Sequence, residues 1–292
     1  MCGISGFFLS NNYSTHKESL KILRNMTNVL RHRGPDASGY WSSERDNIYL
    51  GHRRLSIIDL SKSANQPMNS RNDRYIIIFN GEIYNFKKLK SHLDEIKFIS
   101  WSSTSDTEVL LELIAQYGID KSLKMINGMF AFSLFDKSNK TTYLCRDRLG
   151  EKPLYYKKIN DQLFFSSELK SLEILSKENL ISIKGLNFYL KYGFVPSPYS
   201  IYKNINKLEP GKYIKINNNK ELKLTSIQYY SFINNKSFNN FHNSYSIDYN
   251  AAQLNKKIDD VVESELISDV PIGVLLSGGI DSSIIASSAV KV

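Results

Sequence analysis

Apolar and polar positions alternate in short runs over most of the first 230 residues. Tyr75-Ile76-Ile77-Ile78-Phe79 is an unbroken run of aromatic and β-branched residues, which predicts a buried strand, and Asn80-Gly81 predicts the turn that ends it. Met129 to Phe135 and Thr141 to Cys145 flank Asp136-Lys137-Ser138-Asn139-Lys140, the pattern of a hairpin. Leu154-Tyr155-Tyr156 and Leu163-Phe164-Phe165 form a second such pair around Asn160-Asp161. Helical spacing is rarer. Ser105 and Glu108 fit a capping box, followed by Val109, Leu110, Leu113 and Ile114 on one helix face. Strands with interspersed helices and no βαβ rhythm predict an α+β domain with antiparallel sheets over residues 1–230.

The pattern changes after that. Asn, Ser and Lys dominate from Asn234 to Asn250, which predicts a linker over residues 231–249. A second unit, residues 250–292, opens with a helix start at Asn250 and Gln253 and an apolar stripe of Leu254, Ile258, Val261 and Leu266. Ile272-Gly273-Val274-Leu275-Leu276 reads as a short buried strand. Ser277-Gly278-Gly279 then turns into a helix from Ile280. One strand between two helices cannot cover its own edges, so this unit reads as the opening of a larger domain, its strand and its Leu254 stripe left exposed or poorly ordered.

Composition narrows the class. Fifteen Gly and seven Pro in 292 residues exclude a collagen or a low-complexity chain, and 33 Phe and Tyr residues exclude a disordered one. Two cysteines cannot make a disulfide framework, which fits a reducing compartment. No apolar run approaches the about 18 residues of a membrane span, and the N-terminus lacks a signal peptide's basic leader, so a cytoplasmic protein is expected. The net charge of +9 invites a nucleic-acid reading, with Lys203, Lys207, Lys212, Lys215, Lys220 and Lys223 close together. No aromatic ladder or nucleic-acid module accompanies them, and Asn217-Asn218-Asn219 reads as an exposed turn. A solvated basic surface is the expectation, with neither nucleic acid nor membrane as partner.

Candidate chemistry begins at Cys2. Removal of Met1 would leave one residue with a thiol and an α-amine of pKa about 7.7–8.0, a nucleophile with its own general base. The segments that follow make this more than a chance cysteine: Cys2-Gly3-Ile4, Arg31-His32-Arg33-Gly34-Pro35-Asp36, the run Leu50 to Leu60, Gln66-Pro67-Met68, Asn80-Gly81-Glu82-Ile83-Tyr84-Asn85, Ser105-Asp106-Thr107-Glu108, Arg146 to Tyr156 and Ser167-Glu168-Leu169-Lys170. Together and in this order they resemble the class II glutamine amidotransferases, and within them the glutamine-hydrolysing asparagine synthetases. The resemblance implies an N-terminal-nucleophile fold of four α/β/β/α layers, followed by the first elements of an α/β pyrophosphate-loop domain.

The same resemblance implies roles. Cys2 attacks the glutamine carboxamide, and the Asn80 amide with the Gly81 N–H stabilises the oxyanion. Arg54 takes the substrate α-carboxylate and Asp106 its α-ammonium. Backbone groups of Leu55, Ser56, Ile57, Ile58 and Glu82 complete the pocket. Each has a plainer reading in isolation: Arg54 as an ion-paired arginine, Asp106 as a first-turn helix acid, Asn80-Gly81 as a turn. His32 and His52 show no metal-ligand spacing, Cys145 reads as a buried thiol, and no metal site is expected.

The strand–Gly-Gly–helix turn at residue 277 offers backbone N–H groups and a helix dipole to an anion, although an ordinary Gly-rich turn looks the same. By resemblance to the ATP pyrophosphatase loop, Leu275 contacts the adenylate while Ser277, Gly278, Gly279, Asp281 and Ser282 surround pyrophosphate, with ATP and Mg2+ serving a complete synthetase that amidates aspartate. Members of the family continue well past this loop. The chain is therefore expected to be a glutaminase-competent portion, from a truncated gene, a split gene or a fragment. It could act as a homodimer or with a partner chain that supplies the rest. Other acyl-adenylate acceptors, and an inactive partner subunit, remain alternatives.

Overall fold

Strand β1 (Gly3–Leu9) shows why the first part of the chain folds in layers: every residue of it is buried, so both faces are covered. Ile4 and Phe8 point one way, into a cluster with Ile76, Ile78, Ala131, Phe135 and Leu144. Phe7 and Leu9 point the other way, against Leu23, Met26, Tyr49 and Phe164. The period of two along one strand thus serves two cores, one between sheets and one beneath helices.

The computed structural model describes residues 1–9, 15–176, 179–217, 223–232 and 247–291. After β1 come α1 (His16–Val29), β2 (Ala37–Ser43), β3 (Ile48–Arg54), β4 (Met68–Asn69), β5 (Tyr75–Ile83), α2 (Phe86–Ile96), α3 (Asp106–Met125), β6 (Gly128–Asp136), β7 (Thr141–Arg146), β8 (Tyr155–Ile159) and β9 (Gln162–Ser166). They continue with α4 (Leu169–Glu173), α5 (Ile183–Tyr192), β10 (Asn206–Lys207), β11 (Lys212–Asn217), β12 (Lys223–Gln228), α6 (Ile247–Glu265) and α7 (Ile280–Lys291). One six-stranded sheet runs β10-β8-β9-β1-β3-β2 and the other β12-β11-β7-β6-β5-β4. Every pairing within them is antiparallel. The α+β expectation holds, and both predicted hairpins are present as β6–β7 and β8–β9.

Chain contacts divide the molecule into two compact units, Met1–Ser56 with Ser61–Tyr230, and Ile57–Leu60 with Ser231–Val292. In the first, Thr15 caps α1 through a full capping box with Glu18. Ser105 caps α3 by accepting the Glu108 N–H, but the Glu108 carboxylate takes the N–H groups of Ser102 and Ser103 instead of closing the predicted box. The clearest departure is β5. It does not turn at Asn80-Gly81 but pairs on to Ile83, with Asn80 opposite Ala131 and Gly81 opposite Phe130. Glycine permits this, because a Cβ at residue 81 would lie 2.2 Å from the Met129 carbonyl oxygen.

In the second unit, α6 and α7 pack together, with Ser288 and Lys291 both bonded to the Asp259 carboxylate. The predicted strand at residues 272–276 is not formed, and Leu275 is 94% exposed. The described residues of the second unit form no other strand that could accept its backbone. The Leu254 stripe is likewise exposed at Leu254 and Val261, while neighbouring Val262 is buried. Residues 233–246 of the predicted linker lie outside the described residues, and its last residues begin α6. Asn218, Asn219 and Lys220 also lie outside them. Of the other clustered lysines, Lys207 donates to the Val195 carbonyl and Lys212 pairs with Glu209. No described helix is long and apolar enough to cross a membrane.

Candidate active site

Antiparallel pairing sets Gly3 opposite Arg53, which carries Cys2 to the corner where β3 ends. There its thiol donates to the Leu55 carbonyl at 3.6 Å and accepts the Leu55 N–H at 3.4 Å. Burial pushes the thiol pKa up and the Leu55 N–H works against that; Asp106 raises it further while Arg54 lowers it. Both charges therefore lie within electrostatic reach of the sulfur. Met1 precedes Cys2, so the α-amine here belongs to Met1. Its Sδ accepts from Lys152 Nζ at 3.2 Å, and burial lowers the amine pKa.

Arg54 is buried, and its Nη1 donates to the Ser61 carbonyl at 2.7 Å and to Asn65 Oδ1 at 2.9 Å. Asp106 opens α3 and its Oδ2 accepts the Ile83 N–H at 2.8 Å. Burial raises its pKa to about 6, against the hydrogen bonds from Ile83 and Thr107. The first-turn reading of Asp106 holds, since it is the first residue of α3.

Asn80 is 1% exposed, and neither its Nδ2 nor its Oδ1 has a hydrogen-bond partner. A buried amide left so is uncommon and unfavourable, since burial removes its water without replacement. The neighbouring backbone is equally directed. The N–H groups of Tyr75, Phe79 and Ile83 bond to Ser70, Gln66 and Asp106, all away from β6. By the two-residue alternation of a strand, the Gly81 N–H points to that same edge. His52 ties β3 to β5 just before this point, with Nε2 3.1 Å from the Phe79 carbonyl. Burial holds His52 down to about 4, so the neutral ring bonds that carbonyl as an Nε2–H donor.

The other named residues are placed as follows. Leu55 meets the thiol; the Ser56 N–H donates to Asp36 Oδ2 at 2.8 Å. Ile57 and Ile58 group with the second unit, where the Ile57 carbonyl accepts the Asp269 N–H. Glu82 pairs with Met129 in the β5–β6 ladder. Within the second unit, residues 271–281 are exposed, Gly278 takes a left-handed φ of 80° and Gly279 accepts from Ser282 and Ser283. Leu275, Ser277 and Asp281 lie along this exposed turn. Cys145 is fully buried and burial raises its pKa.

Arg33, Asp36, Gln66 and Glu168 reach the site or its supports without having been assigned a role from sequence. Their motifs are visible, but the pairing of Arg33 with Glu168 spans 135 residues and has no local signal.

Residues 1–230 match the family described as glutamine amidotransferase domain, and residues 253–292 match asparagine synthase. Asparagine synthetase [glutamine-hydrolyzing] 1 of Bacillus subtilis is 37% identical over 99% of this chain and 44% of its own length. A putative asparagine synthetase of Methanocaldococcus jannaschii is 36% identical over 97% of this chain and 56% of its own. A protein named amidase chry2 from Gibberella zeae is 32% identical over 98% and 42%. The chain thus spans about half the length of these curated relatives. The solved glutamine phosphoribosylpyrophosphate amidotransferase of B. subtilis superposes with TM-score 0.59 at 21% identity, covering all of this chain and 64% of that one. A structure titled as the allosteric regulatory enzyme of purine biosynthesis gives 0.60 at 20%, covering 99% of this chain and 63% of that one. Fold and family match agree over residues 1–230, and the chain belongs to the glutamine amidotransferase family.

Proposed function

We propose that residues 1–230 hydrolyse glutamine to glutamate and ammonia at Cys2. The observation that carries this reading is the buried Asn80 amide with no partner, a donor held ready for a charge that forms only during reaction. After loss of Met1, the Cys2 amine takes the thiol proton and the thiolate attacks the carboxamide carbon. The oxygen gains negative charge and is met by Asn80 Nδ2 and the Gly81 N–H. The amine returns the proton to the departing nitrogen, ammonia leaves, and water cleaves the glutamyl thioester by the same two steps. Arg54 pairs with the substrate carboxylate and Asp106 with its ammonium. Backbone groups of Leu55, Ser56 and Glu82 complete the pocket.

We read residues 250–292, after a linker at 231–249, as the beginning of a domain that amidates ATP-activated aspartate, in an enzyme acting in the cytoplasm as a homodimer or with a partner chain. The exposed turn from Ser277 to Ser282 fits the phosphate end of ATP: it offers backbone N–H groups at the start of a 12-residue helix, and Asp281 supplies a carboxylate suited to Mg2+. The base end does not fit, because Leu275 projects into solvent without a facing wall. When bound, MgATP would supply the activation of the acceptor carboxylate. The likeness to amidase chry2 favours a second reading of the acceptor, in which another acyl-adenylate replaces aspartate.

One assay tests both levels. Purified chain shown by mass to lack Met1 is expected to release glutamate from glutamine, and Cys2→Ala to release none. Adding aspartate and MgATP and following AMP and asparagine then tests the acceptor. Glutamate release that survives Cys2→Ala would overturn the reading.

A further inference from the structure

The nucleophile's backbone is held by a side-chain relay. Arg33 Nε donates to the Cys2 carbonyl at 2.9 Å, and its Nη1 donates to Glu168 Oε1 at 3.0 Å. The Arg33 side chain is only 9% exposed, and its Nη2 is buried with no partner, so these two groups are what hold it. Glu168 also takes His32 Nε2 at 3.0 Å, so one carboxylate oxygen anchors both His32 and Arg33. Burial raises the Glu168 pKa, but Arg33 and His32 outweigh it and keep the carboxylate charged.

Glu168 is itself pinned to the nucleophile's strand. The adjoining Ser167 donates its N–H to the Ile4 carbonyl at 2.9 Å and accepts the Ile4 N–H on Oγ at 3.0 Å. At the other end of the loop, the Asp36 N–H donates to the Arg54 carbonyl and Asp36 Oδ2 accepts from Ser56. Leu55, between those two, is the residue the Cys2 thiol rests on. Loop 31–36 therefore touches the nucleophile's carbonyl and the segment beneath its thiol, and Glu168 fixes it from outside.

We propose that Glu168 is a positioning residue for Cys2: acting through Arg33, it sets the orientation of the Cys2 main chain, and so where the amine and thiol stand relative to the Asn80–Gly81 donors. This rests on the glutaminase reading. Misplacing reacting groups by about 1 Å can lower a rate on the order of 10²-fold while leaving substrate contacts intact. Glu168 touches neither substrate nor thiol in this scheme, so its effect falls on kcat.

The test uses the 292-residue chain without Met1. Glu168→Ala is expected to lower kcat about 10- to 100-fold with KM within about twofold, and Glu168→Gln, which keeps an acceptor for Arg33, to recover part of it. The double variant Arg33→Ala/Glu168→Ala is expected to be no slower than Arg33→Ala alone, because one relay is broken once. In parallel, iodoacetamide labelling of Cys2 is expected to speed up about threefold or more in Glu168→Ala as its rest on Leu55 loosens. Buried Cys145 serves as the internal reference. Wild-type kcat in Glu168→Ala, additive losses in the double variant, or Cys145 labelling that rises in step with Cys2 would each overturn the proposal. If the wild-type chain hydrolyses no glutamine, the glutaminase reading fails by itself, and the labelling rates still decide the relay.

Discussion

Asn80 and Asp106 are each placed at a cost to the fold. The Asn80 amide forgoes both its hydrogen bonds, so Asn80→Ala is expected to leave thermal stability unchanged or raised while lowering kcat for glutamine hydrolysis about 10²–10³-fold. A parallel loss of stability and activity would instead make Asn80 a structural residue. Asp106 is buried with its pKa raised to about 6, whereas an unfolded chain has the ordinary value. Two consequences follow from the sign of that shift. The neutral acid is favoured in the folded state, so its stabilising contribution is complete below about pH 4 and lost as pH rises through about 6. Relative to Asp106→Asn, the wild-type chain should therefore lose up to roughly 3 kcal/mol over that interval, read from urea midpoints at each pH. Substrate binding runs the other way. Only the carboxylate pairs with an ammonium, so KM for glutamine should climb as pH falls through about 6, and Asp106→Asn should remove that dependence.

Single elements depend on residues the hydrophobic pattern passes over. The loop between β7 and β8 is wound around Asp147, whose Oδ1 accepts the N–H groups of Leu149, Gly150 and Glu151 and whose Oδ2 accepts those of Phe130 and Lys152. Arg146 closes the same loop from within, donating to the carbonyls of Lys152, Leu208 and Gly150. Asp147→Asn would turn an NH2 group toward two or three of those donors. It is expected to destabilise the chain by about 2–4 kcal/mol, measured by urea unfolding, with the kcat of the remaining folded protein largely kept. At this scale the sequence was legible where one signal acts locally: hairpin turns, the Ser105 cap, the helix at residue 280. It misled at Asn80-Gly81, because an Asn-Gly pair describes a turn only when no neighbouring strand takes its backbone, and β6 does.

At the scale of the whole molecule, the two units differ in how well they cover themselves. The first has a core between its sheets and another beneath α1, so residues 1–230 expressed alone are expected to melt at the same midpoint and to hydrolyse glutamine at the full chain's kcat. A lower midpoint would move the boundary. The second unit leaves Leu275, Ile280 and Val290 in solvent. The full chain should accordingly bind more of an apolar dye than residues 1–230 alone.

Periodicity along the chain marked five strands (β5 to β9) and the long helix α3 of the first unit, because burial on one or both faces imposes a repeat on the residues themselves. Motif order likewise marked Cys2, Arg54, Asn80, Gly81 and Asp106 as one set, since a reaction constrains residue types wherever they stand. Three-dimensional packing settled what no local pattern encodes. It left the Asn80 amide without a partner, ran β5 past its expected turn, and joined Arg33 to Glu168 across 135 residues. It also withheld the strand at residues 272–276, because a strand exists only when a neighbour accepts its hydrogen bonds, and no stretch of sequence contains its own neighbour.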